Sequence, residues 1–521
     1  MTFIQRYVIF VFFIFYLFIH LSEESRILAI FPNSKNEEIF NKALVKILLE
    51  RGHHVDLITS FEMLILSENY KLLFNLEKIF NYSNFYLSNE FNYLTIPSNS
   101  IWHTSKNYAN ELCNIMGNKK IQKLLREIKK NSHYDVILME IFGAKCFIGL
   151  GEFLKLPIIT ISNFFQLPLI DKSIGNSKSI FISNNFMDLS EIGNFVTRLK
   201  KNLLKYFQTY QLYYYTQRQT EIMRKYLDPN MPEIGEIEKN ISLILLNSHF
   251  NLNSTKAVTN EIIQIGGLHI NEDKIKLSLK LKSWMDKSTK GIVYFDLGSK
   301  ILMENLPKKI IIAFLASFGK IKFYRILMKI KNIENFPLEL PRNVKTFTNI
   351  SRIQVLAHKN VKAFITLGEN LAIQEALYFA IPIIGISISS DHSQNLRELV
   401  QKFVAFEINF ENLNERHISE ALTIVLKVKL FRIQTQRWSK IFKDRALSAK
   451  DTAIYWIEYI IKNGPNSLKS PTPSPLWYQT EFLDIYAFLL ISLLSFTCLI
   501  VRLIKKLIKI NEKFFIKIKR N

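Results

Sequence analysis

Seventeen consecutive residues near the C-terminus, Ile485–Val501, carry no charge. As a helix they rise about 25 Å. That is close to the lower limit for crossing a bilayer, and Leu503 and Ile504 extend the stretch if Arg502 snorkels. Trp477, Tyr478 and Asp484 precede it, as interface residues should, and eight basic residues follow between Arg502 and Arg520 against one acid, Glu512. A buried core helix is the other reading, but a basic tail running to the terminus argues against it. The positive-inside rule then makes 485–504 a transmembrane helix and 505–521 a basic cytosolic tail. The opposite end fits the same topology. Arg6 precedes thirteen apolar residues, Tyr7–Ile19, and a polar stretch, His20–Ser25. This predicts a signal peptide over 1–24, or else an uncleaved anchor; export follows either way.

The expectation is therefore a single-pass type I protein with a large luminal part. Lys517 and Lys519 lie five and three residues from the end. That placement resembles an endoplasmic reticulum retrieval signal, and the same lysines also fit an ordinary Lys-rich tail. Sequons at Asn81, Asn240, Asn253 and Asn349 are open to glycosylation in that compartment. The cysteines are Cys113, Cys146 and Cys498. They exclude a disulfide scaffold and allow at most one intrachain bridge, Cys113 to Cys146, which nothing in the sequence requires.

Net charge takes its meaning from this topology. The chain of 521 residues carries +23, which by itself invites a nucleic-acid partner. The tail from Arg502 supplies +7, eight bases less one acid. The rest is spread without a basic motif, and no zinc, RNP or helix-turn-helix pattern accompanies it. No nucleic-acid partner is expected, and no Cys/His spacing suggests a metal site.

Between the two ends the chain reads as α/β. RILAIF (Arg26–Phe31), a helical spacing through Ile47 and Leu48, and a strand from Val55 form a β-α-β opening. Strands follow at Tyr134–Glu140, Leu156–Ser162, Asn240–Phe250 and Glu261–Ile270, with a long helix between about Leu189 and Tyr226. A second unit runs from strand Gly291–Ser299 through helix Pro307–Gly319 and strand Ile321–Ile326. It continues with strand Val361–Glu369, helix Leu371–Ala380 and strand Ile381–Ile388, and closes with helices between Leu413 and Ile461. Pro471, Pro473 and Pro475 mark a stiff linker. The expected domains are 25–270 and 271–470.

Several blocks in order resemble the animal UDP-glycosyltransferases, the membrane-bound UDP-glucuronosyltransferase type. They are YFDLGS (Tyr294–Ser299), VLAHKNVKAFIT (Val355–Thr366), AIQEALYFAIPIIGISISSDHSQN (Ala372–Asn395) and LWYQTEFLDIYAF (Leu476–Phe488). In the first unit RGHHV, NSHF and GGLHI fit as well. The resemblance implies the GT-B architecture, two Rossmann-like domains facing a cleft. Acceptor would bind in the first and UDP-sugar in the second, as donor co-substrate without a further cofactor. It also implies transfer of the sugar to a small lipophilic acceptor, with inversion, in the endoplasmic reticulum lumen. Self-association or pairing with another chain stays open.

Carried over residue by residue, the resemblance splits. Glu375 stands where the family's Glu accepts the ribose hydroxyls, and Gly298 and Ser299 keep the turn that faces the donor. Asp391 stands where an Asp holds the sugar, but His392 replaces the following Gln. The phosphate loop departs further, with Leu367 for His, Gly368 kept, Glu369 for the second Gly and Ala372 for the hydroxyl residue. A carboxylate at Glu369 would repel the diphosphate by about 4 kcal/mol at 4 Å and an effective dielectric near 20. Asn349 replaces the Trp that stacks on uracil, and Arg352 replaces a Gln. The general-base His maps to Glu37, or to Asn36 or Lys35 with a small gap, and its orienting acid maps to Glu140. Glu37 can equally be a helix-start carboxylate. Two expectations follow: a UDP-glycosyltransferase, or a degenerate member that binds or partners without turnover. His249 and His269 receive no role, and His53 and His54 read as turn residues. The aromatic run Tyr206–Tyr215 reads as helix packing or an acceptor-pocket lining.

Overall fold

The computed structural model describes residues 24–32, 38–80, 108–131, 133–141, 143–162, 195–250, 252, 259–272, 277–298, 301–330, 336, 339–348, 350–388, 390–469, 477–480 and 482–518. The first body opens with β1 (Arg26–Phe31), α1 (Glu38–Glu50), β2 (His54–Thr59) and β3 (Tyr70–Asn75). It continues with α2 (Asn110–Asn114), α3 (Lys119–Asn131), β4 (Val136–Glu140), α4 (Gly149–Leu154) and β5 (Ile158–Ser162). Then come α5 (Phe195–Tyr226), α6 (Ile234–Glu238), β6 (Ile241–Leu246) and β7 (Ile262–Gln264). The seven strands pair in the order β3-β2-β1-β4-β5-β6-β7, all parallel.

The second body starts with α7 (Leu279–Asp286), β8 (Ile292–Phe295), α8 (Lys308–Lys320), β9 (Arg325–Lys329) and β10 (Val344–Phe347). It goes on with α9 (Arg352–Leu356), β11 (Val361–Thr366), α10 (Asn370–Tyr378), β12 (Ile383–Ser387), α11 (Ser390–Gln401) and β13 (Ala405–Asn409). Helices α12 (Glu415–Lys427), α13 (Lys429–Lys443) and α14 (Ala449–Asn463) follow. Its six parallel strands run β10-β9-β8-β11-β12-β13, the doubly wound Rossmann order.

Central strands of a parallel sheet are covered on both faces and so read as unbroken apolar runs. VILME, IITIS and ISLILL are buried throughout, and RILAIF at all but Arg26. The edge strands β3 and β10 lack that signature, being half-buried with lysines among their residues, and are not evident from the sequence pattern. Neither is the edge strand β13, AFEIN, which is only partly buried. Several expected strands are shorter than their sequence spans, Asn240–Phe250 keeping Ile241–Leu246 and Gly291–Ser299 keeping Ile292–Phe295. Glu261–Ile270 keeps three strand residues, because the chain turns at Gly267, whose φ is +87°. Ile321 closes a turn with Tyr324 (2.9 Å, N–H to carbonyl), and the strand begins only at Arg325.

After α13 the chain returns to the first body. Ala453, Ile454, Ile457 and Ile460 of α14 share a core with Phe40, Leu44 and Leu48 of α1 and with β1, β2 and β4. Glu458 accepts from Arg51 Nε at 2.9 Å, and Lys450 pairs with Glu50 at 2.8 Å. His53 is buried, with Nδ1 accepting from the Ser25 N–H at 3.4 Å and Nε2 lying 3.3 Å from Glu458. It is a joint between the strand opening and the returning helix, more than the turn residue the sequence suggests.

Cys113 of α2 and Cys146, just before α4, form a disulfide closing 33 residues. Gln219 of α5 locks the same corner. Its Oε1 accepts from the Lys145 and Cys146 N–H groups, and its Nε2 donates to the Gly143 carbonyl at 3.0 Å. Lys145 forms a buried ion pair with Glu238 of α6. Further up α5, Phe207, Tyr210, Tyr213 and Tyr214 are exposed, which corrects the helix-packing reading for these four.

The C-terminal helices α15 (Trp477–Thr480) and α16 (Leu483–Ile518) belong to a separate unit. Within α16, Leu483–Lys509 holds an 18-residue stretch with a mean hydropathy of 2.4, none of it buried. Among the described residues it is the one helix long and apolar enough to cross a membrane.

Candidate functional site

Both sheets reverse their strand order beside their first strand, between β1 and β4 and between β8 and β11. Ligands of doubly wound sheets bind outside the carboxyl ends of the strands at such reversals. Those of the expected donor-side residues that are described sit at the second of these points. β8 runs out into Asp296-Leu297-Gly298, and β11 into Leu367-Gly368-Glu369. Gly298 and Gly368 have φ of +91° and +89°, which places both turns in the left-handed region that glycine adopts without strain.

Leu367 is turned inward, into the core formed with Phe295 and Ile384. An apolar side chain there follows the burial of the strand end instead of facing a ligand. Glu369 is the N-cap residue of α10, without a side-chain cap hydrogen bond. Its carboxylate lies over Gly298: a Cβ at Gly298 would stand 2.8 Å from Glu369 Oε2. Ala372 is fully buried on α10. Asp391 and His392 lie in the first turn of α11, close to the glycine turn. The Asn395 amide of that helix donates to the Gly368 carbonyl at 3.1 Å, and the His392 carbonyl lies near Gly368. Glu37, Ser299 and Asn349 lie outside the described residues.

Glu375 occupies the centre of this arrangement and is 1% exposed. Arg352, at the start of α9, grips it with both arms of the guanidinium. Nη2 donates to Oε1 at 3.0 Å, and Nε donates to Oε2. His269 Nε2 lies 3.1 Å from Oε1. An ionised carboxylate only accepts, so that imidazole nitrogen carries the proton. Burial works against the Glu375 charge, but Arg352 and His269 outweigh it and hold the carboxyl at about 2. Burial likewise opposes the Arg352 charge, and Glu375, with help from Asp296 and Glu369, raises its pKa.

Asp296 extends the cluster. It accepts from the Gly298 N–H at 2.9 Å and the Tyr294 hydroxyl at 3.1 Å, and it meets Lys329 at 3.4 Å. Burial next to Asp296 pushes the Tyr294 phenol well above its ordinary range. In the sequence Asp296 stands out only as part of YFDLGS, and nothing there assigns His269 a role. Their signal was faint: a carboxylate inside an apolar strand end, and a histidine after a double-glycine turn.

The seam between the bodies lies alongside. Gln374 accepts from the Gly267 N–H at 2.7 Å and donates to Asn247, and the Asn370 amide reaches the Asn247 carbonyl at 2.7 Å. His249 is stacked between Phe250 and Phe442, each at 4.3 Å. Burial and then Arg445 lower its pKa to about 3, so it stays neutral.

At the reversal of the first sheet, Glu140 ends β4. It is buried and accepts from the Asn41 amide of α1 at 3.2 Å. Glu37 follows β1 in the sequence and is not among the described residues.

The Glu375 pair predicts an acid response. Its folded pKa lies below the ordinary 4.5, so its stabilisation is complete above about pH 4.5 and is lost as the pH falls toward 2. Urea unfolding from about pH 6 to about pH 3 should cost the native sequence about 2 kcal/mol more than Glu375→Gln. Equal losses would show that the carboxylate is not held in this way.

The sequence profile of the family described as UDP-glucoronosyl and UDP-glucosyl transferase matches residues 28–521. UDP-glucosyltransferase 2 of Dactylopius coccus is 29% identical over 497 residues, covering 93% of both chains. UDP-glucuronosyltransferase 2B17 of Homo sapiens is 24% identical over 490 residues, covering 88% of this chain and 89% of the relative. Among solved structures, Phytolacca americana UGT2 complexed with UDP-2fluoro-glucose and pterostilbene is similar in fold. Its TM-score is 0.55 at 12% identity, with 84% of this chain and all of that one covered.

Proposed function

Because the chain belongs to the UDP-glucoronosyl and UDP-glucosyl transferase family, we propose that it transfers a sugar from a UDP-sugar to the hydroxyl of a small lipophilic acceptor. The observation that carries this reading is the pair of glycine turns and the Glu375 carboxylate gathered at the strand reversal of the second sheet. The donor lies there, with Gly298, Ser299, Asn349, Arg352, Leu367, Gly368, Glu369, Glu375, Asp391 and His392 around it. The acceptor lies toward β1 and β4, with Glu37 as base and Glu140 orienting it. Pterostilbene, the aromatic named with the Phytolacca structure, supports a lipophilic acceptor. The apolar stretch of α16 and the basic residues after it support a membrane anchor with the two sheets on the luminal side of the endoplasmic reticulum. The Cys113–Cys146 disulfide fits an oxidising compartment.

One observation favours a second reading. Glu375 already has its partners inside the protein, and Glu369 fills the space over Gly298. On that reading the chain is a member without turnover, serving as a binding or partner subunit. The test is UDP release by the full chain in detergent with UDP-glucose or UDP-glucuronic acid and a panel of phenols. The first reading expects acceptor-dependent UDP release. No release from either donor, with the chain folded, would sink it in favour of the second.

A further inference from the structure

A nucleoside diphosphate asks two things of the end of a doubly wound sheet. A carboxylate must be free to accept the ribose hydroxyls, and backbone N–H groups must meet the phosphates without a competing anion. Neither condition holds at this strand reversal. Glu375 gives Oε1 to both Arg352 and His269 and Oε2 to Arg352, and it is almost wholly out of solvent. Glu369 brings a carboxylate to the open side of the Gly298 turn. Asp296 adds a third, so three carboxylates stand against two cations, Arg352 and Lys329, with His269 beside them. An incoming diphosphate meets these three carboxylates at the end of the sheet.

Arg352 is the group on which this arrangement turns. It makes the bidentate contact that withdraws Glu375, and Glu375, Asp296 and Glu369 all favour its charge where it lies. We propose that Arg352 is a specificity-determining residue that gates the donor site by holding Glu375, so that the ribose of a nucleotide reaches this carboxylate only when the guanidinium lets go. This rests on the reading above that the donor lies at this end of the second sheet. A glutamine at 352 keeps hydrogen-bonding capacity without the charge or the planar fork. A lysine keeps the charge and loses the fork.

Calorimetry on the full chain in detergent tests the proposal with UDP, uridine and pyrophosphate as probes. Melting curves check that each variant is folded. Arg352→Gln should bind UDP at least tenfold more tightly than the native sequence, with Arg352→Lys between the two. Uridine, which has the ribose but no phosphate, should gain as UDP does, and pyrophosphate should not. Arg352→Lys keeps the test decisive if Arg352→Gln does not fold. Equal or weaker UDP binding by the folded variants, with the native sequence binding UDP, overturns the proposal while leaving the donor reading intact. If Arg352→Gln/Glu369→Gly and the single variants all fail to bind UDP, the proposal falls together with that reading.

Discussion

Arg352→Ala is expected to lower stability by about 3–5 kcal/mol, because it leaves Glu375 ionised and buried without its main partner. The loss comes from the stranded charge more than from the worth of the pair. Taking two charges out of water costs nearly as much as their attraction returns. Arg352→Met combined with Glu375→Leu should therefore cost far less than Arg352→Ala alone. The exposed pair Lys239–Glu236, with contacts of 2.8 and 2.9 Å, should be worth less than about 1 kcal/mol when broken. Urea midpoints for the three variants make the comparison. A loss under 1 kcal/mol for Arg352→Ala would mean that His269 alone satisfies Glu375, or that water reaches it.

The second large effect is expected at Cys113→Ser. The bridge closes 33 residues, and a closed loop of that size restricts the unfolded chain by about 3–4 kcal/mol at 25 °C on the chain-entropy account. Both sulfurs are buried in the core under α2, α4 and α5, so the variant also leaves a serine hydroxyl in apolar surroundings. Unfolding of the native chain with and without reductant gives the loop contribution, and Cys113→Ser adds the packing cost. The reduced native chain and Cys113→Ser should differ by less than either differs from the oxidised protein. Equal stability of oxidised and reduced protein would show that the bridge adds nothing.

Much of the fold was legible because it is written in burial. RILAIF and ISLILL are short, β-branched apolar runs that read as strands covered on both faces, and two such sets in succession give two parallel sheets. The pieces that escaped are those where burial is partial. Tyr70–Asn75 and Val344–Phe347 sit at sheet edges, where lysines are tolerated and no apolar run forms. The site was legible in a different way. Spacing from recognisable blocks located Glu375, Arg352 and Glu369, and the charge of Glu369 was enough to mark it as unusual. Contacts were not legible, because they join residues far apart in the chain. Arg352 reaches across 23 residues to Glu375, and His269 across 106. No periodicity carries that information. Leu367 shows the same limit from the other side: its identity excluded a hydrogen bond, but only its burial shows that it faces the core.

The return of α14 to the first body makes the second body an insertion, flanked on both sides by polypeptide of its neighbour. A chimera made by a single cut after residue 270 would inherit its α14 from the donor chain and mate it with a foreign α1. Exchange of the intervening stretch alone, with both flanks kept, preserves Arg51–Glu458 and the apolar contacts around Ile457. Two crossovers, not one, define the unit that can be shuffled between relatives. The residues facing α14 at the end of α1 are then free to diverge only in step with a helix about four hundred positions away.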